Sequence, residues 1–155
     1  MTTRTGRLVS ASIAVQAPAS VVFAILTDPR QHPRIDGSGS VRGLIEGPPT
    51  LTRGSTFGVR MRLFGVGYRI TNRIVEYEPE RLIAWRHFAG HRWRYQLEPL
   101  DPATTRVTET FDYTRVGPLT ATVLRVLRFP TRNRHGIEAS LPRLRDAAET
   151  DHHTP

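Results

Sequence analysis

Six extended segments follow one another between residues 40 and 113, and only short turns separate them. Each segment alternates apolar and polar side chains, which is the pattern of a strand with one dry and one wet face. Parallel strands need long crossover connections, so short turns predict an antiparallel meander. The turns read GPPT, FGVG, EPER, FAG and DPAT in chain order. The predicted strands are 40–46, 55–63, 68–77, 82–87, 92–100 and 105–113.

One strand and two short helices are predicted before this meander. Residues 8–16 alternate well enough for a first strand. Pro18 suits the first turn of a helix, whose apolar stripe ends at Asp28-Pro29. Residues 32–35 indicate a further helical turn before the glycine-rich loop DGSGS returns the chain to extended structure.

A long helix is predicted after the meander, because from Pro118 apolar residues recur at spacings of three and four. Pro130 should kink or interrupt this helix, and Pro142 should disturb it again, with Ser140 as a local cap. We expect one domain over residues 1–149 and a disordered tail over 150–155. The predicted core stripe consists of Leu119, Val123, Val126 or Leu127, Ile137, Leu141, Leu144 and Ala148.

Composition excludes several kinds of chemistry. The 155 residues include no cysteine, so disulfides, thiolate metal sites and cysteine nucleophiles are excluded. All 22 basic residues are arginine, which excludes a phosphate-loop lysine and a Schiff-base lysine. The net charge of +8 could attract nucleic acid or another acidic partner. Because no basic block or aromatic-interleaved motif occurs, we interpret the arginines as solvated surface and predict no nucleic-acid partner.

The sequence favours a soluble, cytoplasmic protein. The N-terminal segment lacks an apolar stretch like that of a signal peptide, and the longest apolar run, 21–26, is far too short to span a bilayer. We therefore expect no stable membrane insertion. A homodimer formed through sheet edges or the helix is left open.

Two aromatic residues in the stretch HRWRYQLEPL have two alternative roles. Alternation places Trp93 and Tyr95 on the dry face of their strand, where they either fill a core or line a pocket. Phe57 and Met61 belong to a similar stripe, for which core packing is favoured. Trp85 joins Trp93 inside if the intervening turn has three residues, and lies on the arginine face if it has two.

Two polar residues lie on the same strand faces as apolar residues that should be buried. Glu109 alternates with Val107, Phe111 and Tyr113, and Asn72 alternates with Tyr68, so both should point inward. An isolated inward carboxyl should have a raised pKa, and with Arg or Tyr nearby it could fix a ligand or act as an acid or base. The alternative is a rim position beside a surface arginine.

Other polar motifs have simpler interpretations. His87 and His91 flank the hairpin turn, and a spacing of four suits a metal only on a helix, so we predict no metal site and no cofactor. Asp36 is interpreted as a turn aspartate, although it could also cap a pocket opening or a ligand.

Three stretches resemble a known family. APASVVFAILTDPRQHPRI at 17–35, WRYQLEPLDPATTRVTETFDY at 93–113 and SLPRLRDAAE at 140–149 resemble the START-like superfamily (SRPBCC), in particular its polyketide cyclase/dehydrase-like branch. The likeness covers almost the whole chain. It implies an α+β helix-grip fold, in which a curved antiparallel sheet of about seven strands wraps a long C-terminal helix, with short helices after the first strand.

The resemblance also implies a cavity between sheet and helix. It suggests a carrier or sensor that binds a hydrophobic small molecule, such as a lipid, isoprenoid or polyketide-like compound. The alternative is an enzyme of the polyketide cyclase/dehydrase type, with Glu109, Tyr95 and Tyr113 as catalytic candidates. Ile35 stands where family members often carry Trp. The expected ligand-binding residues are Trp93, Tyr95, Tyr68, Asn72, Met61, Phe57, Glu109, Phe111 and Ile35.

Overall fold

The computed structural model describes residues 4, 5, 7–87 and 90–154, and the chain forms an α+β fold there. The predicted turn at 88–90 lies partly outside the described residues. The strands are β1 Arg4–Thr5, β2 Leu8–Val15, β3 Val41–Glu46, β4 Thr56–Leu63, β5 Val66–Glu78, β6 Leu82–Arg86, β7 Arg92–Asp101 and β8 Thr104–Asp112. The helices are α1 Ala19–Leu26, α2 His32–Ile35, α3 Pro118–Val126 and α4 Phe129–His153, with a 3₁₀ turn at Pro29–Gln31.

The eight strands form one antiparallel sheet in the order β1-β2-β8-β7-β6-β5-β4-β3. All neighbours except β2 and β8 are consecutive in the chain, as the short turns predict. Helix α4 lies along β2 and β8, and α1 and α2 pack beside it. This is the predicted helix-grip architecture, with the two-residue β1 as an additional edge strand.

The break between the last two helices confirms the predicted interruption near Pro130. Helix α3 ends at Val126, Arg128 adopts a left-handed conformation with φ of 59°, and Pro130 occupies the first turn of α4. The missing N–H of proline is harmless at that position, because a first-turn amide has no helical partner.

Two expectations about α4 were wrong. Pro142 stays inside a continuous helix, and Ser140 caps no helix end, because its Oγ accepts a hydrogen bond of 2.8 Å from the Gly37 amide. The helix is described as far as His153 and so includes part of the segment 150–155, for which the sequence suggested a disordered tail. The bidentate pair between Arg34 and Asp151, with a shortest distance of 2.8 Å, holds this last turn against α2.

The predicted core stripe is only half buried. Ile137, Leu141 and Leu144 in α4 are buried against the sheet. On α3 the stripe faces water instead: Leu119 is 78% exposed and Val126 is 75% exposed. The residues of α3 that pack inward are Ala121 and Leu124. Because the chain turns at Arg128, the two helices present different faces to the core.

Candidate functional site

A fully buried carboxyl lies on the concave face of the sheet, which faces α4. Glu109 on β8 is 0% exposed and lies directly opposite Tyr95 on β7. Its Oε1 accepts a hydrogen bond of 2.8 Å from the Tyr95 hydroxyl and one of 2.7 Å from Nε1 of Trp93. Its Oε2 is buried and has no hydrogen-bond partner among the described residues. The inward direction predicted for Glu109 is therefore correct, and one of its two oxygens remains without a donor or acceptor.

The environment of Glu109 favours the protonated acid. Burial raises its pKa to about 8, the negative charge of Asp36 acts in the same direction, and the hydrogen bonds from Tyr95 and Trp93 oppose both. Burial and the neighbouring Glu109 raise the pKa of Tyr95 well above its usual value. Near neutral pH both groups therefore carry their protons. A protonated Glu109 presents Oε2 as a hydroxyl that can donate a hydrogen bond.

A second buried polar atom without a partner lies on the same face. Asn72 on β5 is buried opposite Phe57 on β4, and its Oδ1 accepts no hydrogen bond from the described part of the chain. Buried polar atoms are normally paired, so each unpaired atom indicates a water, an ion or a ligand group that completes it. Asn72 thus offers an acceptor on the face where Glu109 offers a donor.

Trp85 lies inside the protein, and this resolves the alternative left open by the sequence. It pairs directly with Trp93 across β6 and β7 and is mostly buried. Its indole stacks on the His32 ring at 4.9 Å, and Phe57 packs edge-on against it at 5.8 Å. Nε2 of His32 lies 3.0 Å from the Leu26 carbonyl oxygen, and burial lowers the pKa of His32. These residues form a packed aromatic core.

The other aromatic residues continue this cluster toward the end of β8. Phe111 contacts Trp93 at a ring distance of 5.7 Å and stacks on Tyr113 at 5.4 Å. His91 stacks on His87 at 4.6 Å and meets Phe111 edge-on. Burial lowers the pKa of His87 to about 3 and that of His91 to about 4, so both rings are neutral near pH 7.

The described part of the chain includes two open recesses that Glu109 does not line. The larger, of about 480 Å³, lies at the outer end of the β4–β5 hairpin and includes Met61 and Tyr68. Its remaining lining residues are Arg42, Arg60, Arg62, Gly65, Gly67 and Arg69. The other, of about 310 Å³, lies between α2 and α4 on the outside of the molecule.

The structure therefore divides the expected site residues into three groups. Trp93, Tyr95 and Glu109 are joined by hydrogen bonds, with Phe111 and Tyr113 beside them. Met61 and Tyr68 lie at the open recess. Phe57, Asn72 and Ile35 are buried in the interior on β4, β5 and α2, and Phe57 is connected to Tyr95 through the ring of Trp85.

Sequence reasoning gave no role to His32, which contributes to the aromatic core from a separate helix. A single helical turn has no periodicity that reveals which side faces the sheet. Asp36 is a turn residue, as interpreted, because its carboxylate accepts hydrogen bonds from the Ser38 and Val41 amides. Its electrostatic effect on Glu109 has no sequence signal.

Neither a metal-binding cluster nor a membrane-spanning helix is found within the described residues. They contain no group of three or more histidine, aspartate or glutamate side chains arranged to hold a metal ion. No helix within them has an apolar stretch that could cross a bilayer.

Comparison with known proteins identifies the family. Residues 7–149 match the profile of the family described as polyketide cyclase / dehydrase and lipid transport. The chain is 48% identical over 140 residues to the uncharacterized protein Rv0088 of Mycobacterium tuberculosis, an alignment that covers 89% of this chain and 62% of the relative. The chain thus spans less than two thirds of that relative's length.

Solved structures share the fold. Protein Ms6760 from Mycobacterium smegmatis superposes with a TM-score of 0.72 at 16% identity, covering 98% of this chain and 100% of that one. The Zhui aromatase/cyclase from Streptomyces sp. R1128 superposes with a TM-score of 0.64 at 18% identity, covering 89% and 93%. At these identities the likeness concerns the fold alone. Because the family profile matches nearly the whole length, the chain belongs to the polyketide cyclase/dehydrase and lipid transport family.

Proposed function

We propose that the protein binds an apolar small molecule bearing a carbonyl or hydroxyl group in its interior, as a carrier or sensor. The observation that supports this most directly is Oε2 of Glu109, a buried carboxyl oxygen without a partner among the described residues. The family description, which includes lipid transport, agrees with an apolar ligand.

The two unpaired atoms, on β5 and β8 of the same concave face, would bind different polar groups of a ligand. Because burial raises the pKa of Glu109 to about 8, the acid is mostly protonated at pH 7, and its Oε2 can donate a hydrogen bond to a carbonyl oxygen. Oδ1 of Asn72 can accept a hydrogen bond from a hydroxyl group of the ligand. The surrounding aromatic rings supply apolar contact area for the rest of the molecule.

Entry into this interior is proposed to involve side-chain movement, because Tyr95 and Glu109 are both buried and Glu109 lines neither of the two recesses described above. Trp93 is the partly exposed member of the hydrogen-bonded group, whereas Tyr95 and Glu109 are buried. We therefore propose that the ligand passes Trp93 and that displacement of its indole exposes the carboxyl.

Two probes of the same shape test this proposal. Acetylnaphthalene carries a carbonyl, and ethylnaphthalene is a hydrocarbon of similar size. Binding is followed by tryptophan fluorescence, with mass spectrometry of the native protein as a check for a co-purified molecule. One additional hydrogen bond should make the ketone bind about tenfold more tightly.

Glu109→Leu should remove this preference while retaining hydrocarbon binding. Raising the pH above 8 should weaken binding of the ketone to the parent protein, but not to this variant. Equal affinity for both probes in the parent protein would contradict the role of Glu109. If neither probe binds, the result would contradict an interior site for a ligand of this size.

An enzyme of the polyketide cyclase/dehydrase type is a second candidate, and the raised pKa of Glu109 specifically favours it. General acid–base catalysis is most efficient when the pKa of the group lies near the working pH. In a dehydration, Glu109 would donate its proton to the departing hydroxyl, which leaves as water when the C–O bond breaks, and the resulting carboxylate would accept the α-proton as the C=C bond forms. This restores the acid, and the Tyr95 hydroxyl would hold its carboxyl in place.

Dehydration of the β-hydroxy ketone formed from benzaldehyde and acetone tests this candidate, since the conjugated product absorbs in the ultraviolet. Glu109→Gln should abolish turnover while the ketone still binds, and Tyr95→Phe should lower it. Turnover that is unchanged in both variants removes this mechanism.

A further inference from the structure

Exposed apolar side chains are concentrated at one end of the molecule. Eight large hydrophobic residues of the described chain are exposed, and seven of them lie in α3 and its following turn or in the β4–β5 hairpin. The seven are Phe64, Val66, Tyr68, Leu119, Val123, Val126 and Leu127. We call them the apolar tip. On α3 the spacing of 119, 123 and 126 forms one helical stripe, which nothing in the described chain covers.

The same two segments are free of acidic residues. No aspartate or glutamate occurs from residue 47 to 75 or from residue 113 to 137. The first stretch holds the five arginines at 53, 60, 62, 69 and 73, and the second holds five more, at 115, 125, 128, 132 and 134. Of these arginines, Arg60, Arg62 and Arg69 line the recess beside Tyr68, and Arg132 contacts Phe64, so positive charge lies next to the hairpin side of the apolar tip.

A direct contact joins the two segments. The guanidinium of Arg132, in the first turn of α4, lies 4.4 Å from the ring centre of Phe64 at the hairpin turn. The positive charge of Arg132 also interacts electrostatically with the phenol of Tyr68. The hairpin and the α3–α4 connection thus lie at the same end of the fold.

The hairpin turn itself carries an unusual residue. Leu63 pairs with Val66, so Phe64 and Gly65 form a two-residue turn with φ of 50° and 78°. Such turns favour Asn or Asp before the glycine, because a bulky side chain is strained at positive φ. Here the position holds a phenylalanine that is 76% exposed. Arg132 contacts this ring, but most of the ring remains exposed, so it offers apolar surface to a contact outside the fold.

We propose that the apolar tip and its arginines dock the protein on the surface of an anionic lipid bilayer. Apolar side chains at this depth enter the boundary between headgroups and acyl chains, and each arginine beside them gains from the negative surface. The protein lies on the bilayer and does not cross it. This function is separate from ligand binding at Glu109, which lies in the interior.

The apolar part of this surface favours a bilayer over a nucleic acid. A nucleic acid would be bound by phosphate contacts and base stacking, and four of the seven tip residues are aliphatic side chains of valine or leucine on or beside α3. A bilayer uses both features of the surface, the aliphatic side chains and the arginines.

Sedimentation with vesicles tests the proposal. The full chain is mixed with vesicles of equal parts phosphatidylcholine and phosphatidylglycerol, and separately with pure phosphatidylcholine. We expect binding to the anionic vesicles, little binding to the neutral ones, and weakening by salt. The paired changes Phe64→Gln with Val66→Gln, and Leu119→Gln with Val126→Gln, should each weaken anionic-vesicle binding about tenfold.

Matched controls separate docking from general effects. Leu100→Gln replaces the exposed leucine outside the tip, and Arg106→Gln replaces an exposed arginine that is paired with Glu98. Both should bind vesicles as the parent does, and so should Glu109→Leu, which lacks the interior carboxyl. Loss of folding in the tip variants is monitored by circular dichroism.

Three outcomes overturn the proposal. The first is absence of binding to anionic vesicles at low salt. The second is equal weakening by Leu100→Gln and the tip pairs. The third is binding to a single-stranded RNA at least as tight as to the vesicles, with no effect of the tip pairs.

Discussion

The amide of Gly37 donates a hydrogen bond of 2.8 Å to Oγ of Ser140, and the loop after α2 thereby lies directly on the backbone of α4. A side chain at position 37 would place its Cβ 2.3 Å from the carbonyl carbon of Ala139 and 2.5 Å from the amide nitrogen of Ser140. The loop that leads into β3 can approach the helix this closely only with glycine at this position.

Gly37→Ala should therefore destabilise the fold. The added methyl meets backbone rather than a movable side chain, so we expect a loss of about 1–3 kcal/mol in the free energy of unfolding, measured with urea. Gly117→Ala is the matched control, because a Cβ there meets nothing within 4 Å and its φ is −60°. Equal effects of the two changes would show that the close approach is not the cause.

Arg94 connects two carboxylates on the outer face of the sheet. Its guanidinium lies 2.8 Å from Glu76 and 3.1 Å from Asp112, and all three side chains are mostly buried. Burial raises the pKa of both carboxyl groups, but their hydrogen bonds outweigh this effect and lower each pKa overall. Without Arg94, Asp112 loses this salt bridge, and Glu76 retains only its pair with Arg92.

Arg94→Met should cost about 2–4 kcal/mol of stability in urea unfolding, because removal of one partner leaves buried charge poorly compensated. Arg106→Met, which removes an exposed pair with Glu98 at 3.0 Å, should change stability by less than about 1 kcal/mol. If both changes cost the same, burial does not govern these ion pairs.

The sequence predicts much of the sheet because alternation determines which side of a strand is dry. Glu109 and Asn72 point inward as their phase requires. The meander and the break near Pro130 likewise follow from local chemistry. Each of these features depends on residues that are close together in the chain.

Other features depend on contacts that alternation does not specify. The side on which Trp85 lies depends on hairpin register, which alternation alone leaves open. The period of α3 shows that one face is apolar, but not that this face is left uncovered. The stacking of His32 on Trp85 joins elements more than fifty residues apart, and neither strand nor helix patterns contain that information.

The raised pKa of Glu109 should make stability depend on pH in a particular direction. The native state keeps this proton up to about pH 8, whereas the unfolded chain releases it near pH 4.5, so the native state binds more protons between these values. Stability should therefore fall as the pH rises through this window and level off above pH 8.

His87 and His91 affect a different range. Their native pKa values, about 3 and about 4, lie below the usual 6.5, so they reduce stability only as the pH falls below 6.5. Between pH 6.5 and 8, Glu109 should account for a decrease of roughly 1–2 kcal/mol. Glu109→Gln should abolish this slope in urea unfolding, and a slope that persists in the variant would assign it to another group.

The hydrogen bond from Tyr95 should hold the pKa of Glu109 below the value that burial alone would produce. The Tyr95 hydroxyl donates to Oε1 at 2.8 Å and stabilises the carboxylate more than the neutral acid. Tyr95→Phe removes this donor and leaves the ring in place. The pKa of Glu109 should then rise above about 8, which can be measured by carbon NMR of glutamate labelled at the carboxyl or by the infrared band of the protonated acid.

Tyr77→Phe is the control, because Tyr77 lies on β5, two strands away from Tyr95 on β7, and packs against Phe23. It should leave the titration of Glu109 unchanged. A shift of equal size in both variants would indicate a general loosening of the interior. An unchanged titration in Tyr95→Phe would mean that Trp93, which also donates to Oε1, is sufficient to stabilise the carboxylate.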